Sequence, residues 1–300
     1  MNINRWLKDN TSTLAGKTIA ISGATGGLGK PLCQRLAALG VSLILLDRNP
    51  ARSQALADEL LVTFPKLSVK RIPLDLERID SVKACAERLL TEEIDGLILN
   101  AGAYRIERHT CKGGYDNVFM INFASPYFLA KRLLPMLEAR KGKLVVVGSV
   151  AHTYSKSDPE DVDFSTRTKH SLCYGNAKRH LMYAAYKLCE GKNLLAVTHP
   201  GIAVTNITSH YPKLIYALIK YPMKVIFMSP KKASLSILRG LFDSTSEGEW
   251  IGPRYFSVWG LPKKDVLKKY DEEEAVRLFA KAEEIDSALN ALPKDSLTCE

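Results

Sequence analysis

Lys17-Thr18-Ile19-Ala20-Ile21-Ser22, followed by Gly23-Ala24-Thr25-Gly26-Gly27-Leu28-Gly29, decides the fold. The first six residues are a short, β-branched apolar run that reads as a buried strand. Glycines 23, 27 and 29 (GxxxGxG) mark a turn, and Pro31 to Leu39 reads as a helix ending at Gly40. Strand, glycine turn and helix start form a site for the phosphates of a dinucleotide. Glycines let the backbone approach a pyrophosphate, and a helix N-terminus offers unpaired N–H donors and a favourable dipole.

The same rhythm continues along the chain. Val41 to Leu46 is a second apolar strand ending in Asp47-Arg48; Ala51 to Phe64 is a helix, and Ser68 to Leu74 a strand that turns at Asp75-Leu76. Ile79 to Leu90 is a helix, Ile94 to Leu99 a strand, and Asn100-Ala101-Gly102 its end. Alternating strands and helices predict an α/β, doubly wound Rossmann fold, a parallel sheet of about seven strands with helices on both faces. Chemistry is then expected at the carboxyl ends of the strands. Asp47 lies 18 residues after Gly29, about where a carboxylate bonds the ribose hydroxyls of NAD and repels a 2′-phosphate. Arg48 argues the other way, since it could hold that phosphate. The balance favours NAD(H), with NADP(H) as the alternative.

Helical periodicity returns over Tyr115 to Asn122 and Ser125 to Leu137, and Lys143 to Val147 is a strand ending in Gly148-Ser149. A polar stretch, His152 to Leu172, reads as a long loop. Next stands Tyr174-Gly175-Asn176-Ala177-Lys178, at the head of an apolar-periodic run through Leu181, Met182, Ala185 and Leu188. Positions four apart share a helix face, so Tyr174 and Lys178 can serve one small volume. A tyrosine titrates near ~10, and a neighbouring cation moves it toward useful acid/base range. Leu194 to Thr198 is a strand ending at His199-Pro200-Gly201. Helices are expected in 211–228 (two short ones), Ala233 to Phe242 and Glu272 to Leu292, with a last strand over Trp250 to Val258.

The 300 residues, 46% hydrophobic and 25% charged, suit a soluble globular chain. Met1 to Asn10 shows no signal-peptide pattern and no apolar run is long enough to span a bilayer, so a cytoplasmic location is expected. Cys33, Cys85, Cys111, Cys173, Cys189 and Cys299 show neither a CxxC pair nor metal-ligand spacing, which predicts free thiols and no metal site. Net charge is +10, but the basic residues are dispersed, which argues against nucleic acid and fits attraction of an anionic cofactor.

The assembled set resembles the short-chain dehydrogenase/reductase family. The matching pieces are the GxxxGxG loop, Asp75, Asn100-Ala101-Gly102, Asn122, Ser149, Tyr174 with Lys178, and Pro200-Gly201 followed by Thr205, over roughly 17–207. The resemblance implies an NAD(P)-dependent oxidoreductase in which Tyr174 exchanges a proton with the substrate oxygen and Ser149 orients that oxygen. It implies that Lys178 lowers the Tyr174 pKa and holds the nicotinamide ribose, and that Asn122 anchors a water relay. Gly23, Thr25, Gly27, Leu28 and Gly29 would meet the pyrophosphate, Asp75 and Leu76 the adenine, and Asn100, Ala101 and Gly102 the cofactor side of the sheet. Pro200, Gly201, Ile202 and Thr205 would meet the carboxamide or phosphates.

Gly148-Ser149-Val150-Ala151-His152, the 25-residue gap to Tyr174, and Tyr174 to Met182 look like the retinol-dehydrogenase-like branch. That likeness implies an apolar alcohol, ketone or aldehyde of retinoid, steroid or lipid type. Two positions depart from the branch: Gly148 replaces a usual second serine, and Asp47 replaces a small or thiol residue before the arginine. The expected organisation is one domain over 1–300, with a core at 17–207, a substrate lid at 208–245 and a last strand and helix at 246–300. The apolar-basic pattern of 211–228 fits a lid, a peripheral membrane contact or a buried helix pair. A homo-oligomer built on the Tyr174 helix and its neighbour is implied by the resemblance. Two rival readings stand beside this one: a dinucleotide sensor without chemistry, and an epimerase or dehydratase of the extended relatives.

Overall fold

The computed structural model describes residues 3–201 and 228–293. Eight strands form a single sheet in the order β3-β2-β1-β4-β5-β6-β7-β8. They are β1 (Thr18–Ser22), β2 (Ser42–Asp47), β3 (Val69–Pro73), β4 (Gly96–Leu99), β5 (Lys143–Val147), β6 (Leu195–Thr198), β7 (Glu249–Tyr255) and β8 (Trp259–Val266). All neighbours are parallel except β7 and β8. The inner strands are buried on both faces, which is why they read as unbroken apolar runs rather than alternating ones. The chain moves outward from β1 to β3 and then returns to place β4 against β1, with Ile21 opposite Ile98. That reversal opens a crevice at the carboxyl ends of β1 and β4, the place where such sheets bind ligands.

Two apolar layers sandwich the sheet. On one face lie α2 (Gly29–Ala38) and α3 (Pro50–Thr63), packed through Leu32, Leu36, Leu56 and Leu60, and beyond them a helix near the end of the chain. On the other lie α4 (Ile79–Leu90), α5 (Asn117–Phe119), α6 (Ser125–Ala139) and α7 (His170–Leu188), packed through Val82, Phe128, Leu133 and Leu181. A short α1 (Ile3–Asn10) rests Trp6 on Phe242. The later helix of the first face is α8 (Pro230–Arg239), and α9 (Glu272–Ala291) ends the described chain.

Three features differ from the sequence expectation. The last strand is a hairpin, β7 and β8, so the sheet has eight strands rather than about seven. Phe256 and Ser257 turn it with φ of 52° and 56°, a left-handed conformation usually signalled by Asn or Gly. Helix α7 begins at His170, four residues before Tyr174, and a short turn at Val150–Thr153 interrupts the predicted loop. Between α5 and α6 the backbone widens into one π-helical stretch, Met120–Ala124, which contains Asn122.

Helix α9 covers the outer face of α6 and α7. Its Leu278, Ala282, Ile285 and Leu289 are buried, each of the leucines and the isoleucine contributing about 1.5–3 kcal/mol. Glu283 and Asp286 pair with Lys131 at 2.7 and 3.0 Å. Lys83 of α4 donates to the carbonyls of Asn290 and Leu292, satisfying the helix's last turn. Among the described residues no helix is long and apolar enough to cross a membrane. The segment 211–227, expected to hold two helices and a lid, lies outside the described residues.

Candidate active site

The crevice floor is built by two strand ends locked together. The Ser22 hydroxyl accepts the N–H groups of Asn100 and Ala101, both at 3.0 Å, while the Asn100 amide donates to the carbonyls of Ser22 and Gly23 at 3.0 and 3.1 Å. Gly23 has φ of 67°, and a Cβ there would lie 2.9 Å from the Ala101 Cα. Gly29 starts α2 directly over the Gly23 carbonyl, where any side chain would collide. The loop is thus drawn tight beneath the helix N-terminus, leaving a cradle for an anion. A continuous cleft of about 730 Å³ runs from this loop to Tyr174, Lys178 and Ser149. Asn100 lines it, and its buried Oδ1 has no hydrogen-bond partner among the described residues. An elongated, glycine-floored cleft with an orphaned acceptor fits a dinucleotide.

At one end of the cleft Asp47 is buried and already engaged. Its Oδ1 accepts the N–H and hydroxyl of Thr25, both at 3.0 Å, and its Oδ2 accepts the Ser53 hydroxyl at 3.2 Å. Three donors leave a carboxylate little acceptor capacity for a ligand. Arg48 stands 68% exposed at the rim, paired with Glu77 at 2.8 Å. Asn49 caps α3 by accepting the Arg52 N–H, and Arg52 reaches back to the Thr25 carbonyl at 3.3 Å. Two guanidinium groups therefore flank this end. Asp75 braces its own turn, accepting the Glu77 N–H at 3.1 Å, while the Leu76 carbonyl accepts the Ser125 hydroxyl at 2.7 Å.

At the other end β5 delivers Ser149 and α7 delivers Tyr174 and Lys178. Gly175 allows α7 to lie against the Ala151 carbonyl, so the tyrosine comes beside the serine turn. Burial pushes the Tyr174 phenol up to about 12, with the Ser149 hydroxyl bonded to it pulling the other way. The Tyr104 ring meets Tyr174 edge-on at 5.4 Å. Lys178 donates to the Val147 carbonyl at 2.9 Å, and its burial lowers it to about 8. The ammonium lies 5.9 Å from the Tyr174 ring centre, and burial rather than this cation dominates the tyrosine.

Most of the predicted site residues converge on this cleft: Gly23, Thr25, Gly27 and Leu28 from the loop, Asp47, Arg48, Asp75 and Leu76 from the next two strands, and Asn100 to Gly102, Ser149, Tyr174, Lys178, Pro200 and Gly201 from the rest. Gly29 and Asn122 are not on its wall. Asn122 is fully buried behind Gly102, its amide joining both backbone groups of Ala103 and the Val118 carbonyl. Ile202 and Thr205 lie outside the described residues. Cys173 packs with Val118 and Phe164, away from any nucleophilic role. Sequence reasoning missed Arg52, Tyr104 and Tyr154 on the cleft wall. The Asn49-Pro50 helix start was a usable signal for Arg52, four residues after Arg48 and in the first turn of α3.

Residues 17–158 match the model of the short chain dehydrogenase family. Human retinol dehydrogenase 14 is 28% identical over 284 residues, covering 87% of this chain and 83% of that protein. Human retinol dehydrogenase 13 is 29% identical over 294 residues, covering 90% and 85%. A crystal structure of an uncharacterized protein from Mycobacterium Paratuberculosis superimposes with a TM-score of 0.72 at 24% identity, over 93% of this chain and 96% of that one. A 3-oxoacyl (acyl-carrier-protein) reductase from Agrobacterium tumefaciens, solved with NADP bound, gives 0.60 at 20% identity, over 80% and 91%.

Proposed function

We propose that this chain, which belongs to the short-chain dehydrogenase/reductase family and to its retinol-dehydrogenase-like branch, reduces apolar carbonyl compounds with NADP(H). Membership makes it an oxidoreductase that binds a nicotinamide dinucleotide. The observation that carries the reading is the single cleft joining the glycine loop to Ser149, Tyr174 and Lys178.

Bound nicotinamide supplies or accepts the hydride. The protein's own part is a proton and its placement. Ser149 hydrogen-bonds the carbonyl oxygen, and the Tyr174 hydroxyl gives that oxygen its proton. Burial keeps the phenol protonated at neutral pH, the form a reduction needs. Lys178, lowered to about 8, is charged at neutral pH and would hold the nicotinamide ribose of a bound cofactor. Asn122 supports this wall from behind, fixing Ala103. Ala103, Tyr104, Ile106, Val150 and Tyr154 give the reacting end an apolar and aromatic lining, which fits a retinoid, steroid or lipid carbonyl. We take 17–207 as the binding and catalytic core of one domain, and 208–245 as its substrate-side cover.

The choice of NADP(H) rests on Asp47. The expectation of NAD assumed a free carboxylate facing the ribose, whereas this one holds Thr25 and Ser53. Arg48 and Arg52 then supply the recognising charge, suited to a 2′-phosphate. Titrating NADPH and NADH against fluorescence from Trp250, which stacks on His199 of the cleft wall, tests this. Arg48→Ala should weaken NADPH about tenfold or more and NADH by less than about twofold. Equal losses for both cofactors would return the choice to NAD.

A further inference from the structure

His152 follows Ser149 by three residues, in the turn Val150–Thr153, and its ring is fully buried. Nδ1 lies 2.8 Å from the Ser149 carbonyl oxygen, and Nε2 lies 3.0 Å from the Lys268 carbonyl oxygen just beyond β8. Both partners are acceptors, and a neutral imidazole has one N–H to give. The Ser149 carbonyl already accepts the His152 backbone N–H at 3.2 Å. The neutral ring can therefore donate to only one of the two carbonyls, and a second proton lets it donate to both.

We propose that His152 is a positioning residue for Ser149: the neutral ring gives its one proton to the Lys268 carbonyl, and the ring grips both the Ser149 and Lys268 carbonyls only when it carries two protons. The surroundings fix the ring in place. Trp250 of β7 meets it edge-on at 5.5 Å. Arg179 of α7 donates to the His152 carbonyl at 3.0 Å and pairs with the buried Glu274 of α9, which also accepts the Ser157 hydroxyl at 2.7 Å. Lys269 donates to the Thr153 carbonyl, and His199 stacks on the same Trp250. Burial, opposed by the two carbonyl contacts and aided by Arg179 and Lys269, holds the second proton off until the pH falls below the ordinary imidazole range.

The inference rests on the role proposed for Ser149, and two amides dissect it. In His152→Asn the side-chain N–H group takes the Nδ1 place and serves Ser149 at any pH. In His152→Gln it takes the Nε2 place and serves Lys268 alone. Turnover of all-trans-retinal with NADPH by the full chain, followed from about pH 8.5 down to the lowest pH at which the chain stays folded, should show wild type tracking His152→Gln at the alkaline end. At the acid end it should track His152→Asn, the two variants differing about tenfold in kcat with KM for NADPH unchanged. A wild-type to His152→Gln ratio that is flat with pH, or the two variants falling together, would overturn the proposal. Tyr174→Phe run alongside separates the two readings: full turnover there removes the proposed site chemistry itself. Should either amide variant not fold, nitrogen NMR of the wild-type ring decides. Nδ1 gaining its proton only on acidification supports the clamp, and Nδ1 protonated throughout contradicts it.

Discussion

His180 and His199 lie in surroundings that cannot accommodate charge. Burial lowers His180 to about 4, among Phe119 and Phe123, and lowers His199 to about 3, with His152 adding to the effect. Each is depressed below its unfolded value, so the unfolded chain binds more protons through this window. Their stabilising neutrality is fully present above the unfolded imidazole value of about 6.5 and is lost as pH falls toward the folded values. Urea denaturation should accordingly give a markedly lower midpoint at about pH 4.5 than at about pH 7.5, by a few kcal/mol; an unchanged midpoint would mean these rings are not buried. A single residue also explains one departure from the branch pattern. A Cβ at Gly148 would lie 2.5 Å from the Met182 sulfur, so methionine fills the space a second serine would take. Gly148 and Met182 were both legible in the sequence, but their contact across 34 positions was not.

Among the elements, α9 ties α7, the helix that carries Tyr174, to the rest of the fold. Asp271 caps it by accepting the Glu274 N–H at 2.9 Å, with acidic residues filling its first turn. Burial raises the Glu274 carboxyl, yet bonds from Arg179 and Ser157 override that and hold it at about 2. Glu274→Ala strands the Arg179 guanidinium inside and should cost about 3–5 kcal/mol, measured by denaturant melts. A loss under about 1 kcal/mol would place the pair in effective contact with water. The helix itself was readable from its charged periodicity and its Asp271 start. Its docking surface was not, because amphipathic period names a buried face without naming the partner. The hairpin of β7 and β8 escaped for a different reason. Phe256-Ser257 carries no turn chemistry, and Pro262, Lys263 and Lys264 disguise the returning strand. The α7 start was displaced because Lys169 caps it without a side-chain bond, leaving no Ser, Thr or Asp signal.

The molecule as a whole gathers residues from six strand ends into one cleft, and that convergence was predictable from the βαβ rhythm alone. Parallel connections put every strand's carboxyl end on the same edge, so Gly23, Asp47, Asp75, Asn100, Ser149 and His199 meet without further instruction. What sequence order left open was the state of each group once buried, as Asp47 shows by turning inward to Thr25. In the proposed mechanism Tyr174 passes a proton in a cleft whose other walls bind and orient. Tyr174→Phe, measured for NADPH affinity and for turnover of all-trans-retinal, tests it most directly. The expected result is cofactor affinity within about twofold of wild type and kcat lower by at least about a hundredfold. Turnover preserved alongside normal NADPH binding would contradict it.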